Sequence, residues 1–186
     1  MRQISLLVCV ACLLCGCMAG DSEMDRAIAL RQQLLAADGC CFGVDITADY
    51  GDAVSLFSMD CQSDAEGTVK FTVTSPESIS GICGTLAKNG GKLTFEDTAL
   101  QFDLLADGLL SPVSTPWVLV NTLCSGYLRS VGMENGELRL TIDDSYREDA
   151  LQLDVWLDEN DLPLRADILC DGRRVLSASI RDFQIV

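Results

Sequence analysis

The sequence predicts an α+β chain: a curled antiparallel half-open β-barrel of about ten strands, with helices plugging or lidding its concave face. Three observations predict it. Apolar residues alternate with period two over most of the chain after Cys41. Gly, Asn, Asp and Pro separate the alternating runs at short intervals, as hairpins require. Two stretches alone read as helix, and two helices cannot cover so many strands. Strands lie about 4.8 Å apart, so a flat ten-strand sheet would be about 48 Å wide. A helix with its side chains is about 10–12 Å across. The sheet must curl around its own apolar face, and it either packs solid or encloses an apolar hollow.

The chain opens with one positive charge, Arg2, and an apolar run from Ile4 to Cys15, ending at Gly16. A charged start, a short apolar core and a small residue at the cut make a secretory signal peptide of residues 1–16. The cysteines at 9, 12, 15 and 17 are spaced like metal ligands, but no charge, proline or glycine lies between Ile4 and Cys15, and a cluster loop needs turn-forming residues to bend its backbone around the metal. Leu14-Cys15-Gly16-Cys17 resembles the bacterial lipobox. That resemblance implies cleavage after Gly16 and attachment of a diacylglycerol to the Cys17 sulfur, with acylation (palmitate) at the new amino terminus. Residues 17–21 then form a lipidated tether, and 22–186 a single domain on the extracytoplasmic face of the cell membrane.

Loss of Arg2 moves the formal charge from −15 to −16. Such acidity excludes nucleic acid as a partner, because phosphate binding depends on clustered Lys and Arg. Six cysteines remain besides Cys17: Cys40, Cys41, Cys61, Cys83, Cys124 and Cys170. In an exported chain they permit disulfides; the plainer reading leaves several as buried free thiols.

Ser22 with Asp25 predicts a capped helix start. Met24, Ala27, Ile28, Leu34 and Leu35 then fall on one face of a helix over 22–38, ended by Gly39. From Cys41 the period becomes two. A hairpin about Gly51 places Val44 opposite Ser58, Ile46 opposite Leu56 and Ala48 opposite Val54. The same register sets Cys41 against Cys61 on the other face, the first choice for a disulfide, with Cys40 as competitor. Strands follow at 68–74, 79–87, 92–96 and 100–104. After Pro112 and Pro116, residues 117–124 read as a short apolar helix. Strands at 127–133, 138–142, 151–157, 164–170 and 175–183 complete the chain, joined by Glu134-Asn135-Gly136, Asp158-Glu159-Asn160-Asp161 and Asp171-Gly172.

This order of elements resembles the LolA/LolB/LppX group of lipoprotein carriers and lipid-binding lipoproteins. The likeness rests on four stretches: Thr68–Pro76; Lys92–Phe95; the proline-preceded helix between Ser111 and Cys124; and Leu153–Leu157 through Leu162-Pro163-Leu164 to Ile180–Phe183. It implies a half-barrel whose hollow takes lipid or lipoprotein acyl chains. The candidate lining is Val44, Ile46, Leu56, Val69, Phe71, Val73, Leu93, Phe95, Phe102, Leu140, Leu153 and Val155. The candidate lid is Trp117, Leu119 and Val120. The competing expectation is a solid core in an envelope interaction or structural lipoprotein, of the kind used in sporulation or germination, that docks a partner protein through the sheet.

No enzyme, metal or cofactor is expected. The chain has no histidine, which removes the usual base of Ser and Cys nucleophiles and the commonest zinc ligand. Asp143-Asp144 and Asp158-Glu159 read as solvated turns rather than a catalytic pair. The run Asp158–Asp161 lacks the length and glycine of an EF-hand loop.

Overall fold

The structure, a computed structural model, describes residues 22–49, 51, 54–95, 98–102, 105–106, 109–148 and 150–186. The expected signal segment 1–16, Cys17 and the tether lie outside the described residues. The first helix, α1 (Glu23–Ala36), starts where the capping pair predicts. The Ser22 hydroxyl accepts from the Asp25 N–H at 3.2 Å, and the Asp25 carboxylate accepts from the Ser22 N–H at 3.2 Å. Its buried face is Ala27, Leu30 and Leu34. The expected face was set too far round the helix: Met24, Ile28 and Leu35 point away from the core.

The strands are β1 (Cys40–Asp49), β2 (Val54–Ser63), β3 (Val69–Ser75), β4 (Cys83–Ala87), β5 (Gly90–Phe95) and β6 (Thr98–Phe102). A small pair follows, β7 (Leu105–Ala106) and β8 (Leu109–Leu110), and then helix α2 (Thr115–Ser125). The second series is β9 (Tyr127–Glu134), β10 (Glu137–Asp143), β11 (Gln152–Leu157), β12 (Pro163–Cys170) and β13 (Arg173–Ile185). A 3-10 turn at Glu77–Ile79 delays β4, so the strand expected from 79 begins at Cys83.

Eleven of these strands form one antiparallel sheet in the order β6-β5-β4-β3-β2-β1-β13-β12-β11-β10-β9. Two meanders are therefore joined in the middle by β1 and β13, where Val44 faces Ile180, Ile46 faces Ala178 and Ala48 faces Leu176. The strands at the two ends, β6 and β9, do not pair with each other, so the barrel stays half open. This is the α+β class expected. The buried apolar residues form one cluster drawn from both meanders and both helices.

The β1–β2 hairpin departs from expectation by one residue. Val44 lies opposite Met59, Ile46 opposite Phe57 and Ala48 opposite Ser55. Successive side chains alternate faces, so a one-residue slip turns the whole strand over. The observed register buries Met59 and Cys61 and turns Leu56 outward, 68% exposed. A core position suits Met59 better than Ser58, which explains the choice.

Two glycines fix close approaches. A Cβ at Gly39 would sit 2.1 Å from the Ser63 carbonyl oxygen, so only glycine lets the chain leave α1 and enter β1 there. A Cβ at Gly84 would lie 2.3 Å from the Phe71 ring, which therefore packs flat over the β4 backbone.

Candidate functional site

The site is the concave sheet face and the helix lying on it. Because β6 and β9 occupy opposite edges of the sheet yet bracket α2 in sequence, the chain between them must cross from one free edge to the other. It crosses on the apolar side. Helix α2 packs on α1 and β10 and buries Val118, Leu119, Val120 and Leu123. Pro112 and Pro116 precede or open it and Gly126 ends it, without a side-chain cap at its start. Proline is tolerated in a first turn because its missing N–H would have had no partner there.

Of the expected lining, Val44, Ile46, Val69, Phe71, Val73, Leu140, Leu153 and Val155 are all buried in the common core, and Leu93 is half-buried against it. Leu56 is not part of it; the register shift places it on the outer face. The side chains of Phe95 and Phe102 lie outside the described residues. Of the expected lid, Leu119 and Val120 are buried and Trp117 is half-buried on the core. Met59, Phe57 and Cys61 belong to the face and were missed for the same one-residue reason. Leu86, fully buried on β4, also belongs to the face and was missed although the expected strand 79–87 contains it.

The expected Cys41–Cys61 disulfide is overturned by the same register. Cys41 pairs with Gln62 and Cys61 with Phe42, and both are free thiols. Cys40 is also free; its Sγ lies 3.1 Å from the Ser63 Oγ. Burial pushes the Cys40 thiol up to about 11, with the Ser63 hydrogen bond opposing. Burial also pushes Cys61 up, aided by Asp60, and raises Cys124 against the opposing charge of Arg31. Such thiols stay protonated at neutral pH and are poor nucleophiles.

Polar atoms are few on this face. Ser114, Thr115 and Thr122 of the crossing segment are buried. The Thr115 hydroxyl donates to the Pro112 carbonyl at 2.7 Å. Among the described residues the Thr122 hydroxyl has no hydrogen-bond partner, although the residue is only 1% exposed. A cleft of about 190 Å³ opens between α1, the β2–β3 turn and α2, lined by Leu34, Leu35, Cys40, Ser63, Val120 and Cys124 among others.

The outer face of β9–β12 carries a second cluster that pattern reading did not find. Asp154, 3% exposed, accepts from Arg139 Nη2 at 2.7 Å, Thr141 Oγ1 at 2.8 Å and Gln152 Nε2 at 3.3 Å. The Trp156 indole donates to Glu134 Oε2 at 2.5 Å, and the Arg165 guanidinium lies 3.8 Å from the Trp156 ring centroid. Arg165 also donates to Glu137 at 2.6 Å. The alternation of Leu153, Asp154, Val155, Trp156 and Leu157 hid this, because the outward positions looked solvent-facing. Most of the cluster's polar atoms are one another's partners, which suits a brace for the sheet more than a ligand site; the exception is the buried Arg139 Nε, which has no hydrogen-bond partner among the described residues.

The turn acids are occupied by their own backbone. Asp158 Oδ1 accepts from the Asn160 and Leu162 N–H groups at 2.8 and 3.0 Å, and Asp144 Oδ1 accepts from Leu151 at 2.9 Å. Among the described residues no group of three or more Cys, Asp or Glu side chains is placed to hold a metal ion, and no helix is long and apolar enough to cross a membrane.

No protein-family model matches the sequence, and no curated protein matches it. Solved structures are similar to it at low identity. The chain is similar to a LolA superfamily protein from Nitrosomonas europaea, at 12% identity over 86% of this chain and 93% of that one, with a TM-score of 0.46. It is similar to the lipoprotein LppX of Mycobacterium tuberculosis, at 16% identity over 87% of this chain and 96% of that one, with a TM-score of 0.40. It is also similar to a chain of the Pseudomonas aeruginosa MucA/MucB complex, at 14% identity over 86% of this chain and 56% of that one, with a TM-score of 0.40. These include the group whose pattern the sequence resembles. At such identities and scores the likeness says nothing of ligand, partner or activity.

Proposed function

We propose that this chain is a lipid-anchored protein of the extracytoplasmic membrane face that binds a hydrophobic ligand, lipid or lipoprotein acyl chains, between its concave sheet face and α2. The observation that carries this reading is that the connection between the two edge strands β6 and β9 lays α2, with Val118, Leu119, Val120 and Leu123 buried, against the apolar core. Neither edge is bonded to the other, so the sheet can widen beneath α2 without breaking a ladder hydrogen bond. Admitting a ligand then takes side-chain repacking and the lifting of one 11-residue helix. Pockets for such ligands are mostly apolar with a few placed polar groups, and Thr122 supplies an unpaired hydroxyl. The resemblance of Leu14–Cys17 to a lipobox supports the anchor at Cys17. The missing histidine and the protonated buried thiols support binding without catalysis.

A second reading is favoured by the closed packing of Val44, Ile46, Val69 and Val155, none of which reaches solvent. It is an envelope interaction protein with a solid core that docks a partner protein through the sheet.

Native mass spectrometry of residues 20–186 tests the two. Retention of a mass that passes into an organic extract, or capture of an added fatty acid or phospholipid, supports the ligand reading. Titration should then change the emission of Trp117, and Trp117→Phe should remove that change while Trp156 remains. An apo mass that captures no acyl-chain probe would leave the solid-core reading.

A further inference from the structure

Helix α1 carries two separate apolar stripes, and the fold uses only one. Successive helical residues turn by about 100°. Ala27, Leu30 and Leu34 fall within one narrow band and are buried. Met24, Ile28 and Leu35 fall within a second band about 40° wide, roughly 100° around the helix from the first. They are 44%, 44% and 64% exposed. No acid of α1 falls in this second band, in a chain whose formal charge is −15; Glu23 and Asp25 project about 100° to either side of it. Arg31 falls about 20° outside the band, on the side of the buried stripe, and its Nε donates to the Leu123 carbonyl at 2.8 Å.

We infer that this stripe lies on the bilayer that holds the anchor, with Met24, Ile28 and Leu35 entering the headgroup layer. The inference rests on the lipid anchor at Cys17. Only residues 18–22 separate Cys17 from the first residue of α1, and the six backbone steps from Cys17 to Glu23 span at most about 22 Å. The helix therefore starts within about 22 Å of the Cys17 backbone, and the tether keeps it close to the bilayer. An amphipathic helix lies in the plane of the interface with its apolar side at the headgroup–acyl boundary. A bilayer contact of this kind would fix the orientation of the half-barrel relative to the lipid from which it takes its ligand.

The test uses the full lipidated chain on phosphatidylcholine vesicles. Flotation reads the anchor: wild type floats and Cys17→Ser does not. Hydroxyl-radical footprinting reads the stripe. Oxidation of Met24 and Leu35 should fall about threefold or more in the floated protein relative to Cys17→Ser, as burial of the stripe at the interface requires. Oxidation of Leu56, on the outer sheet face, should be unchanged. If wild type floats but Met24 and Leu35 are oxidised as readily as in Cys17→Ser, the stripe does not meet the bilayer and the inference fails, with the anchor intact. If wild type does not float, the anchor reading fails and takes the inference with it. Protection of Met24 in Cys17→Ser without vesicles would assign the stripe to a second copy of the chain and also overturn it.

Discussion

Asp154 on β11 and Arg139 on β10 form an ion pair at 2.7 Å on the outer face of the sheet, with the carboxylate almost wholly buried. Removing the cation leaves a buried charge held by Thr141 and Gln152 alone. Arg139→Ala should lower stability by about 1–3 kcal/mol, below the full cost of a broken buried pair because the guanidinium is partly exposed. Urea denaturation measures it. Asp154→Asn/Arg139→Met, which removes both charges, should recover part of the loss.

The register of the first hairpin makes a paired prediction. Met59→Ala empties a core position and should cost about 2–4 kcal/mol. Leu56→Ser, three residues away, should change stability by no more than about 0.5 kcal/mol. Equal losses at the two positions would contradict the Phe57–Ile46 pairing.

The buried thiols give an alkaline limit. The folded-state pKa of Cys40 is raised to about 11 from an ordinary value of 9.0. The unfolded chain therefore loses this proton first. The contribution to stability is fully present below about pH 9 and is lost as pH rises toward 11. Cys61 acts in the same direction. Unfolding midpoints of wild type should fall over this window, and those of Cys40→Ala/Cys61→Ala should fall less. Parallel pH profiles would show that other groups carry the effect.

Thr122 offers a test that raises stability. Replacing its unpaired, buried hydroxyl by a methyl group of similar shape, Thr122→Val, should stabilise the apo protein by about 1 kcal/mol, read as a higher Tm. If the hydroxyl serves the ligand, the same substitution weakens capture of a fatty acid probe; if it serves neither, only the Tm moves.

Strand existence was legible because alternation is local: Leu138–Ile142 and Leu151–Leu157 each set an apolar residue at every second position, a period that survives any tertiary arrangement. The capping pair Ser22/Asp25 was legible for the same reason. What failed was register and rotation, which depend on partners. Nothing within Val54–Met59 says whether Leu56 or Met59 faces inward, since both are apolar and lie three apart on a period of two. Five apolar residues on α1 fit one broad face or two narrow ones, and only the sheet beneath decides which are covered. The outer cluster at Asp154 and Trp156 was hidden because its members come from β9, β10, β11 and β12 and no single strand displays them together. The face proposed to bind a ligand was mostly anticipated as a set of apolar positions; that α2 closes over it follows from which strands end at the sheet edges.

The central seam between β1 and β13 also governs how the molecule is made. Thr47 and Ser177 face each other across 130 residues of chain, and every other described strand is synthesised before β13. Each meander can pair locally, but neither can share a core with the other until β13 docks along β1. Closing so long a loop is entropically slow. During that delay β1 and β13 present unpaired backbone edges, one on each meander. Refolding should therefore be slow for a chain of this size, and the time spent with those edges exposed is when a helper that shields strand edges would matter most.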